Sequence, residues 1–548
     1  MSLPPRDPGE VPAQTAEVAY LAFPKGCLCM RLREVLGPVF RDEDFAGLYP
    51  VRGKPGWSPA QLALVSILQF TEGLSDRQAA AAVRARIDWK FLLGLELTDA
   101  GFDHSLLSEF RDRNIKGRDP ERLLDLLLDR MRKAGLLKRP GQQRTDSTHV
   151  LAAVRRLNRL ELTAEHLRAA LNALATVAPE WLAATVPVDW FDRYGRRIEN
   201  YRLPRAEQER TAYFEQTGQD GVLLLDAVHG PGSAPWLREL PQVRGLQSCW
   251  DQQYVMDGGR LRARTPKEMP PSHERLESPY DPDARYSIKR GCEWSGYKIH
   301  LTEVCDSDVP HLITHVTTTV ATVTDVEVTE EIHSDLDTHG LLAGEHLVDR
   351  GYVSAALLAN SQAAHGVELI GPIREDVTWQ GRAGQGFDVD SFAIDWDNQQ
   401  ATCPQGHRSV RWKPHLGRYG HPESDVFFSP KYCLPCPVRS QCTGSKTGER
   451  KVTLGPREEH EAIRRARRDQ QTDTWKQRYA ARAGVEAAFG QGLRLCGLRR
   501  SRYRGVDKTR FQHVLTAAAL NLLRTDAWLT ETPLAKTRTS RFRRLRPQ

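Results

Sequence analysis

The hydrophobic periodicity of the chain changes near residue 144, and this change restricts the folds open to it. Four earlier segments have apolar residues at helical spacing: 58–72, 75–86, 103–113 and 121–133. Four later runs have the composition of β-strands: 144–152, 296–304, 312–322 and 345–348. The sequence therefore predicts an α/β protein in which an all-α N-terminal domain precedes a strand-based domain.

Two of the predicted helices begin with recognisable caps. Ser58 precedes Pro59, which suits the first turn of a helix, and Ser75 with Gln78 forms a capping box. The pair of helices has the proportions of a helix-turn-helix, although such pairs are more often simple packing elements. If the chain binds DNA, the N-terminal domain is the predicted reader of its sequence.

Composition shifts divide the chain into five predicted segments. In order they are a helical domain at 1–140, the first part of the strand-based domain at 141–380 with a helical insertion at about 155–275, a cysteine-containing insertion at 395–445, the last part of the strand-based domain at 456–530, and a basic tail at 531–548. The strand-based domain is therefore expected to be assembled from segments distant in sequence.

The composition excludes an integral membrane protein, and the expected compartment argues against a disulfide framework. The chain is 40 % apolar and 27 % charged, and no stretch approaches the roughly 20 apolar residues of a membrane helix. Nothing at the start resembles a secretion signal, so a cytoplasmic location is expected, where its thiols stay reduced.

Positive charge is concentrated at the C-terminal end. The formal net charge is +7, and residues 491–548 contain 14 Lys and Arg against 3 Asp and Glu. Clustered cations of this kind are typical of proteins that bind a polyanion, although a solvated basic surface has the same composition. Charge alone thus nominates a nucleic acid as the partner.

A cluster of cysteines has the spacing of a zinc site. Cys433 and Cys436 form a Cys-x2-Cys knuckle, and Cys403, Cys442 and His407 supply further candidate ligands. We predict structural zinc bound by the four cysteines, with His407 as a possible replacement, because five candidates compete for four positions. Unligated reduced thiols are the alternative.

Three acidic residues are candidates for a catalytic site. Asp146 lies in a predicted strand and Asp349 ends another one, where an isolated Asp is usually a turn former. Glu486 follows Tyr479 and Arg482 at spacings of seven and four, which places the three on one face of a predicted helix. Each acid alone also has an ordinary structural explanation, such as a surface ion pair for Glu486.

Several motifs in one order resemble the DDE transposases of bacterial insertion sequences. The similar segments are the helical region 40–113, Tyr280–Arg285, Gly296–His300, Val348–Tyr352 and Arg482–Gln491. The family signature Tyr-x2-Arg-x3-Glu-x6-Lys corresponds to Tyr479, Arg482 and Glu486. Position 493 is Leu where the signature has Lys, and Arg494 follows it.

The resemblance implies a ribonuclease H-like catalytic core interrupted by inserted segments. In that fold the first Asp lies on the first strand, the second just after the fourth strand, and the Glu on a later helix. Asp146, Asp349 and Glu486 would hold two Mg²⁺ or Mn²⁺ ions, because these ions prefer oxygen ligands. Tyr479, Arg482 and Arg494 would contact DNA.

The implied activity is cleavage at the ends of the element and joining of the freed strands to target DNA, with the terminal inverted repeats and target DNA as partners. A homodimer assembled on DNA is expected. Two alternatives remain: a ribonuclease H-like nuclease that cuts without joining, and a zinc-containing DNA-binding descendant that has lost mobility.

The basic tail gives a first testable prediction. Deletion of residues 536–548 removes six Lys and Arg, and each lost phosphate contact should reduce the slope of log affinity against log salt by about 0.9. The salt dependence of DNA binding should therefore become flatter, while preference for the element's own ends is retained. An unchanged slope, measured by fluorescence anisotropy across a salt series, would contradict this role.

Overall fold

The computed structural model describes residues 9–50, 52–53, 56–117, 119–289, 291–375, 378–382, 386–418, 420–533, 542 and 545. The predicted basic tail lies almost wholly outside the described residues. None of the described helices is long and apolar enough to cross a membrane.

The described residues form a mixed α/β structure, which confirms the predicted class. The helices are α1 Ala13–Ala22, α2 Leu28–Leu36, α3 Pro59–Thr71, α4 Asp76–Ala85, α5 Ile87–Leu93, α6 Ser105–Lys116, α7 Arg122–Lys133, α8 Arg159–Val177, α9 Pro179–Thr185, α10 Asp189–Tyr194, α11 Glu207–His229, α12 Pro241–Gln253, α13 Thr329–Thr338, α14 Ala355–His365, α15 Trp379–Arg382, α16 Pro430–Cys433, α17 Arg439–Cys442, α18 Arg457–Asp469, α19 Asp473–Ala480, α20 Val485–Cys496 and α21 Val506–Leu529. The strands are β1 Gln142–Leu151, β2 Tyr254–Asp257, β3 Arg260–Ala263, β4 Arg285–Lys289, β5 Cys292–Val304, β6 Ile313–Val320, β7 Glu345–Val348, β8 Glu368–Ile370, β9 Ala393–Asp395, β10 Gln400–Thr402, β11 Arg411–Leu416, β12 Pro422–Phe428 and β13 Arg450–Leu454.

Local sequence signals located many of these elements correctly. The four predicted strand runs correspond to β1, β5, β6 and β7, and the four predicted N-terminal helices correspond to α3, α4, α6 and α7. Both predicted caps are confirmed: Ser58 accepts a hydrogen bond from the Gln61 amide, and Ser75 and Gln78 form a capping box.

A mixed sheet forms the centre of the molecule. Its order is β4-β5-β1-β7-β8, and β6 also pairs with β5. β1 is antiparallel to β5 and parallel to β7, while β8 is parallel to β7. In the β1–β7 register Thr145 is opposite Val348, so the next residues along the two parallel strands are neighbours: Asp146 within β1 and Asp349 just after the end of β7.

The described residues contain four hydrophobic cores, the smallest of which consists of Ala19, Met30 and Phe91. The largest contains apolar residues of the N-terminal helices, the central sheet, α20 and α21. The insertion between β1 and β4 has its own core, built from α8 to α12. A third, small core contains the β-strands of the cysteine segment. Within the first core, α3 is buried on nearly every side.

The helix predicted to present Tyr479, Arg482 and Glu486 on one face is interrupted. Tyr479 belongs to α19, Arg482 to a 3-10 turn at Ala481–Gly484, and Glu486 to the first turn of α20. Arg144 Nη1 donates a hydrogen bond to the Ala481 carbonyl at 2.5 Å, and the guanidinium occupies the space that a Cβ on Gly484 would need. The Ala481 carbonyl thus has a long-range donor, while the Val485 amide donates to carbonyls of the 3-10 turn.

A buried ionic group connects the sheet to this region. Glu303 on β5 is 1 % exposed, and its carboxylate lies 2.6 Å from Arg144 Nε and 2.6 Å from Arg524 Nη1. Arg524 on α21 also donates to Gln491 Oε1 of α20, at 3.1 Å. One carboxylate therefore holds β1, β5 and α21 together, and through the arginines it fixes α20.

Replacement of this carboxylate gives a prediction for stability. Glu303→Gln preserves the side-chain shape but leaves two largely buried arginines without their counter-charge, which should cost about 3–5 kcal/mol of unfolding free energy. The measurement is urea denaturation followed by tryptophan fluorescence. Glu293→Gln is the matched control, since Glu293 pairs with Arg156 at the surface, and it should change little. Equal urea midpoints for the two variants would contradict the prediction.

Candidate active site

The three predicted acids line a single cleft. Asp146 comes from β1, Asp349 from the end of β7 and Glu486 from α20, and the cleft has a volume of about 390 Å³. Its remaining lining consists of Ser147, Thr148, His149, Lys289, Cys292, Trp294, Lys298, Arg482 and Arg499. The structure therefore brings together carboxylates that are 203 and 137 residues apart in the chain.

The two aspartates are held in the same way. Asp146 Oδ1 accepts a hydrogen bond from the Ser147 amide at 2.8 Å, and Asp349 Oδ1 accepts one from the Arg350 amide at 2.7 Å. In each residue this bond fixes one carboxylate oxygen against its own backbone. The other oxygen of each carboxylate, Oδ2, faces Arg482.

Arg482 lies between the two aspartates. Its Nη2 atom is 2.5 Å from Asp146 Oδ2 and 3.9 Å from Asp349 Oδ2. Burial raises the pKa of Asp146, Arg482 opposes this rise, and the negative charge of Asp349 adds to it. The pKa of Asp146 lies above its ordinary value as a result. A further cation in this part of the cleft would therefore stabilise the charged form of the carboxylate.

Glu486 projects from an exposed position in the first turn of α20. Arg494 lies in the last turn of the same helix and is also exposed. Tyr479 stacks on Trp475, with ring centroids 4.7 Å apart. Among the described residues, the cleft lining includes Arg482 but neither Tyr479 nor Arg494.

Several cationic residues of the cleft were not singled out from the sequence. Lys298 lines the cleft together with Lys289 and Arg499. Side chains alternate between the two faces along β5, so the sequence shows only that Lys298 and His300 lie on the same face of the sheet. Arg499 is attached to β1, since its Nε donates to Thr148 Oγ1 at 2.9 Å. Only the tertiary structure brings these cations to the acids.

The donor set of the cleft suits a divalent cation. It offers three carboxylates, which are hard oxygen ligands of the type that Mg²⁺ and Mn²⁺ prefer. The raised pKa of Asp146 indicates that the nearby cations do not fully offset the effect of burial on this carboxylate. In the part of the chain that the structure describes, no group of three or more His, Cys, Asp or Glu side chains is already positioned to hold a metal ion.

The predicted zinc ligands meet in a second, much smaller cavity. Cys403, His407, Cys433, Cys436 and Cys442 all line a space of about 30 Å³. His407 stacks on Tyr432, with centroids 4.5 Å apart, and burial raises the pKa of the Cys433 and Cys442 thiols. The absence of a positioned metal-binding group among the described residues applies here too, so zinc stays a prediction.

Two family models match the chain. The model described as "Transposase DDE domain" matches residues 402–525, which include the cysteine cluster and Glu486, and "Transposase domain (DUF772)" matches residues 18–113. No curated protein matches the chain. The two matches confirm the resemblance to DDE transposases of insertion sequences, and they indicate a role in transposition.

Proposed function

We propose that this chain, a relative of the DDE transposases of bacterial insertion sequences, cleaves DNA at the ends of its element and joins the freed 3′ ends to target DNA. The observation that carries the proposal is the meeting of Asp146, Asp349 and Glu486 in one cleft. The neighbouring cations favour a phosphodiester as the group that enters this cleft.

A ribonuclease H-like core is part of this proposal. If β1, β5, β6, β7 and β8 are counted as core strands one to five, Asp146 lies on the first strand and Asp349 follows the fourth. Glu486 lies on a later helix. The second core strand is antiparallel to the first, and the fourth is parallel to it. This arrangement agrees with the fold that the sequence resemblance implies.

The carboxylates Asp146, Asp349 and Glu486 would hold the divalent ions. Two such ions supply an activated water or 3′-hydroxyl and stabilise the leaving oxygen. Arg482 would keep the two aspartates together through its guanidinium and contact a phosphate from the same position. Lys289 and Arg499, on the walls of the cleft, would neutralise flanking phosphates.

Recognition of the element's ends is assigned to the N-terminal helices. α3 is buried, whereas α4 exposes Arg77, Gln78 and Arg84, which are side chains capable of reading a groove. The turn between the two helices contacts the catalytic part of the chain, since Arg502 Nη1 donates to the Leu74 carbonyl at 3.2 Å. A homodimer on DNA would let one subunit bind each end.

Removal of one acid separates chemistry from binding. Asp349→Asn keeps the side-chain shape but weakens metal binding, so cleavage of end DNA should fall roughly 100-fold or more, because a bound divalent ion contributes several kcal/mol to transition-state stabilisation. Affinity for end DNA should change little. The rate is measured on a labelled duplex with Mg²⁺, and affinity by anisotropy.

The control for this experiment is Asp337→Asn, since Asp337 is an exposed carboxylate on α13 and its replacement should leave cleavage intact. Normal cutting by Asp349→Asn would reject the assigned site. Strand transfer into a supercoiled plasmid distinguishes the transposase from a nuclease that only cuts. A wild-type protein that binds ends without cutting them would instead support the DNA-binding descendant.

Structural zinc in the cysteine segment belongs to the same proposal. The convergence of four thiols on one small cavity supports it, because zinc in such sites is bound by four soft ligands. Because such a site is closed to water, the ion would stabilise the segment and take no part in cleavage.

The zinc proposal is tested by the double substitution Cys433→Ser with Cys436→Ser. Bound zinc should fall from about one ion per chain to almost none, and the 395–445 segment should become sensitive to protease, because metal binding and folding are coupled. Elemental analysis and limited proteolysis are the measurements. Cys27→Ser, outside the cluster, is the control. Absence of zinc from the wild-type protein would dispose of the proposal.

A further inference from the structure

A fourth carboxylate, that of Asp325, lies behind the cleft. It opens the 3-10 turn that follows β6, and its side chain is 11 % exposed. Its Oδ1 accepts a hydrogen bond from Ser147 Oγ at 3.0 Å, and its Oδ2 lies 2.8 Å from the position of a Cβ on Gly351. Ser147 follows Asp146 and Gly351 is two residues after Asp349. Asp325 therefore contacts both aspartate-bearing segments.

The turn that carries Asp325 is itself firmly fixed. The Thr324 amide donates to Glu327 Oε1 at 2.8 Å, which closes a capping box. Thr329 Oγ1 donates to the Tyr352 carbonyl at 3.1 Å, so the turn is attached to the segment after Asp349. The carboxylate thus has one well-defined position.

Two lysines of the cleft have Asp325 as their counter-charge. Lys289 Nζ lies 3.6 Å from Asp325 Oδ2 and Lys298 Nζ lies 3.7 Å from Oδ1. Burial alone would raise the pKa of Asp325, but the two lysines, together with His300 and the Ser147 hydrogen bond, outweigh it and the pKa is lowered. The carboxylate is therefore charged at neutral pH.

Without Asp325 these lysines would have a different partner. The positive charge of Lys289 already acts on Asp146, and both lysines line the cleft that contains Asp146. Ammonium groups released from Asp325 would be attracted to the cleft carboxylates and would compete there with a divalent cation. A charged Asp325 prevents this competition.

We propose that Asp325 is a positioning residue of the cleft: it fixes the segments of Asp146 and Asp349 relative to each other and holds Lys289 and Lys298 away from the space between the acids. The inference rests on the proposed function. It predicts that loss of the Asp325 charge weakens divalent-ion binding while end DNA still binds.

The test compares Asp325→Asn with wild type and with Asp335→Asn. The asparagine can still accept from Ser147, so only the charge is lost. Asp335 is the control because it is a half-exposed carboxylate on α13 that pairs with His315. Mn²⁺ affinity, measured by electron paramagnetic resonance of the free ion, should fall about 10- to 100-fold in Asp325→Asn, which is typical for groups that orient metal ligands, and should be unchanged in Asp335→Asn.

A rescue variant distinguishes this role from general damage. Adding Lys289→Gln to Asp325→Asn removes one competing charge, and Mn²⁺ affinity should recover in part. Unchanged Mn²⁺ affinity in folded Asp325→Asn, or no recovery in the double variant, would overturn the inference. If Asp325→Asn does not fold, Ser147→Ala provides the test, because it removes the hydrogen bond from Ser147 to Asp325. Mn²⁺ affinity should then be lower, and a wild-type affinity would reject the proposal.

The outcome is separable from that of the proposed function. A wild-type protein that neither binds Mn²⁺ nor cuts end DNA contradicts the proposed function itself. Wild-type cutting together with normal Mn²⁺ binding by Asp325→Asn contradicts only the role of Asp325.

Discussion

The buried carboxylate of Glu303 is the contact on which the geometry of the cleft depends. It joins Arg144, two residues before Asp146, to Arg524 on the last long helix. Arg144 also donates to the Ala481 carbonyl, in the 3-10 turn that precedes α20. Arg524 also donates to the side chain of Gln491 within α20. Because Glu486 lies on α20, this ionic group contributes to its position relative to Asp146, together with the backbone bonds between Leu151 and the segment after α20. The buried charge of Glu303, which is costly to remove from water, thus helps to connect β1 with the helix α20.

The two aspartates are related by a different and more regular constraint. β1 and β7 are parallel neighbours, and their register places Asp146 within β1 beside Asp349, the residue that follows β7. Backbone hydrogen bonds within the sheet fix this relation. Glu486 lies on a helix outside the sheet, and its segment is joined to β1 by the Arg144 side chain and by backbone bonds of Leu151 with Arg499 and Ser501, just after α20 ends. The proposed site therefore combines two acids on neighbouring strands with a third that depends on tertiary contacts.

The same distinction explains how far the sequence could predict the structure. Strand runs, the caps at Ser58 and Ser75, and the three acids were found because their signals are local or belong to a recognisable motif. The break between α19 and α20 was missed, since the Ala481 carbonyl at this break accepts a hydrogen bond from Arg144, 337 residues away in the chain. Asp325 escaped notice for a related reason: it occupies an ordinary capping turn, and only the folded chain brings it to Ser147.

The cleft must hold opposite charges close together without letting them neutralise one another. Three carboxylates would repel a phosphodiester, and free cations beside them would pair with the acids instead of with DNA. The structure gives several of the cations partners of their own. Lys298 donates to the Val323 carbonyl at 2.5 Å and Arg499 donates to Thr148 at 2.9 Å. These contacts restrict where the positive charges can move, so that they remain on the walls of the cleft where a DNA backbone would pass. Fixed partners for the cations are therefore as much a requirement of such a site as the acids themselves.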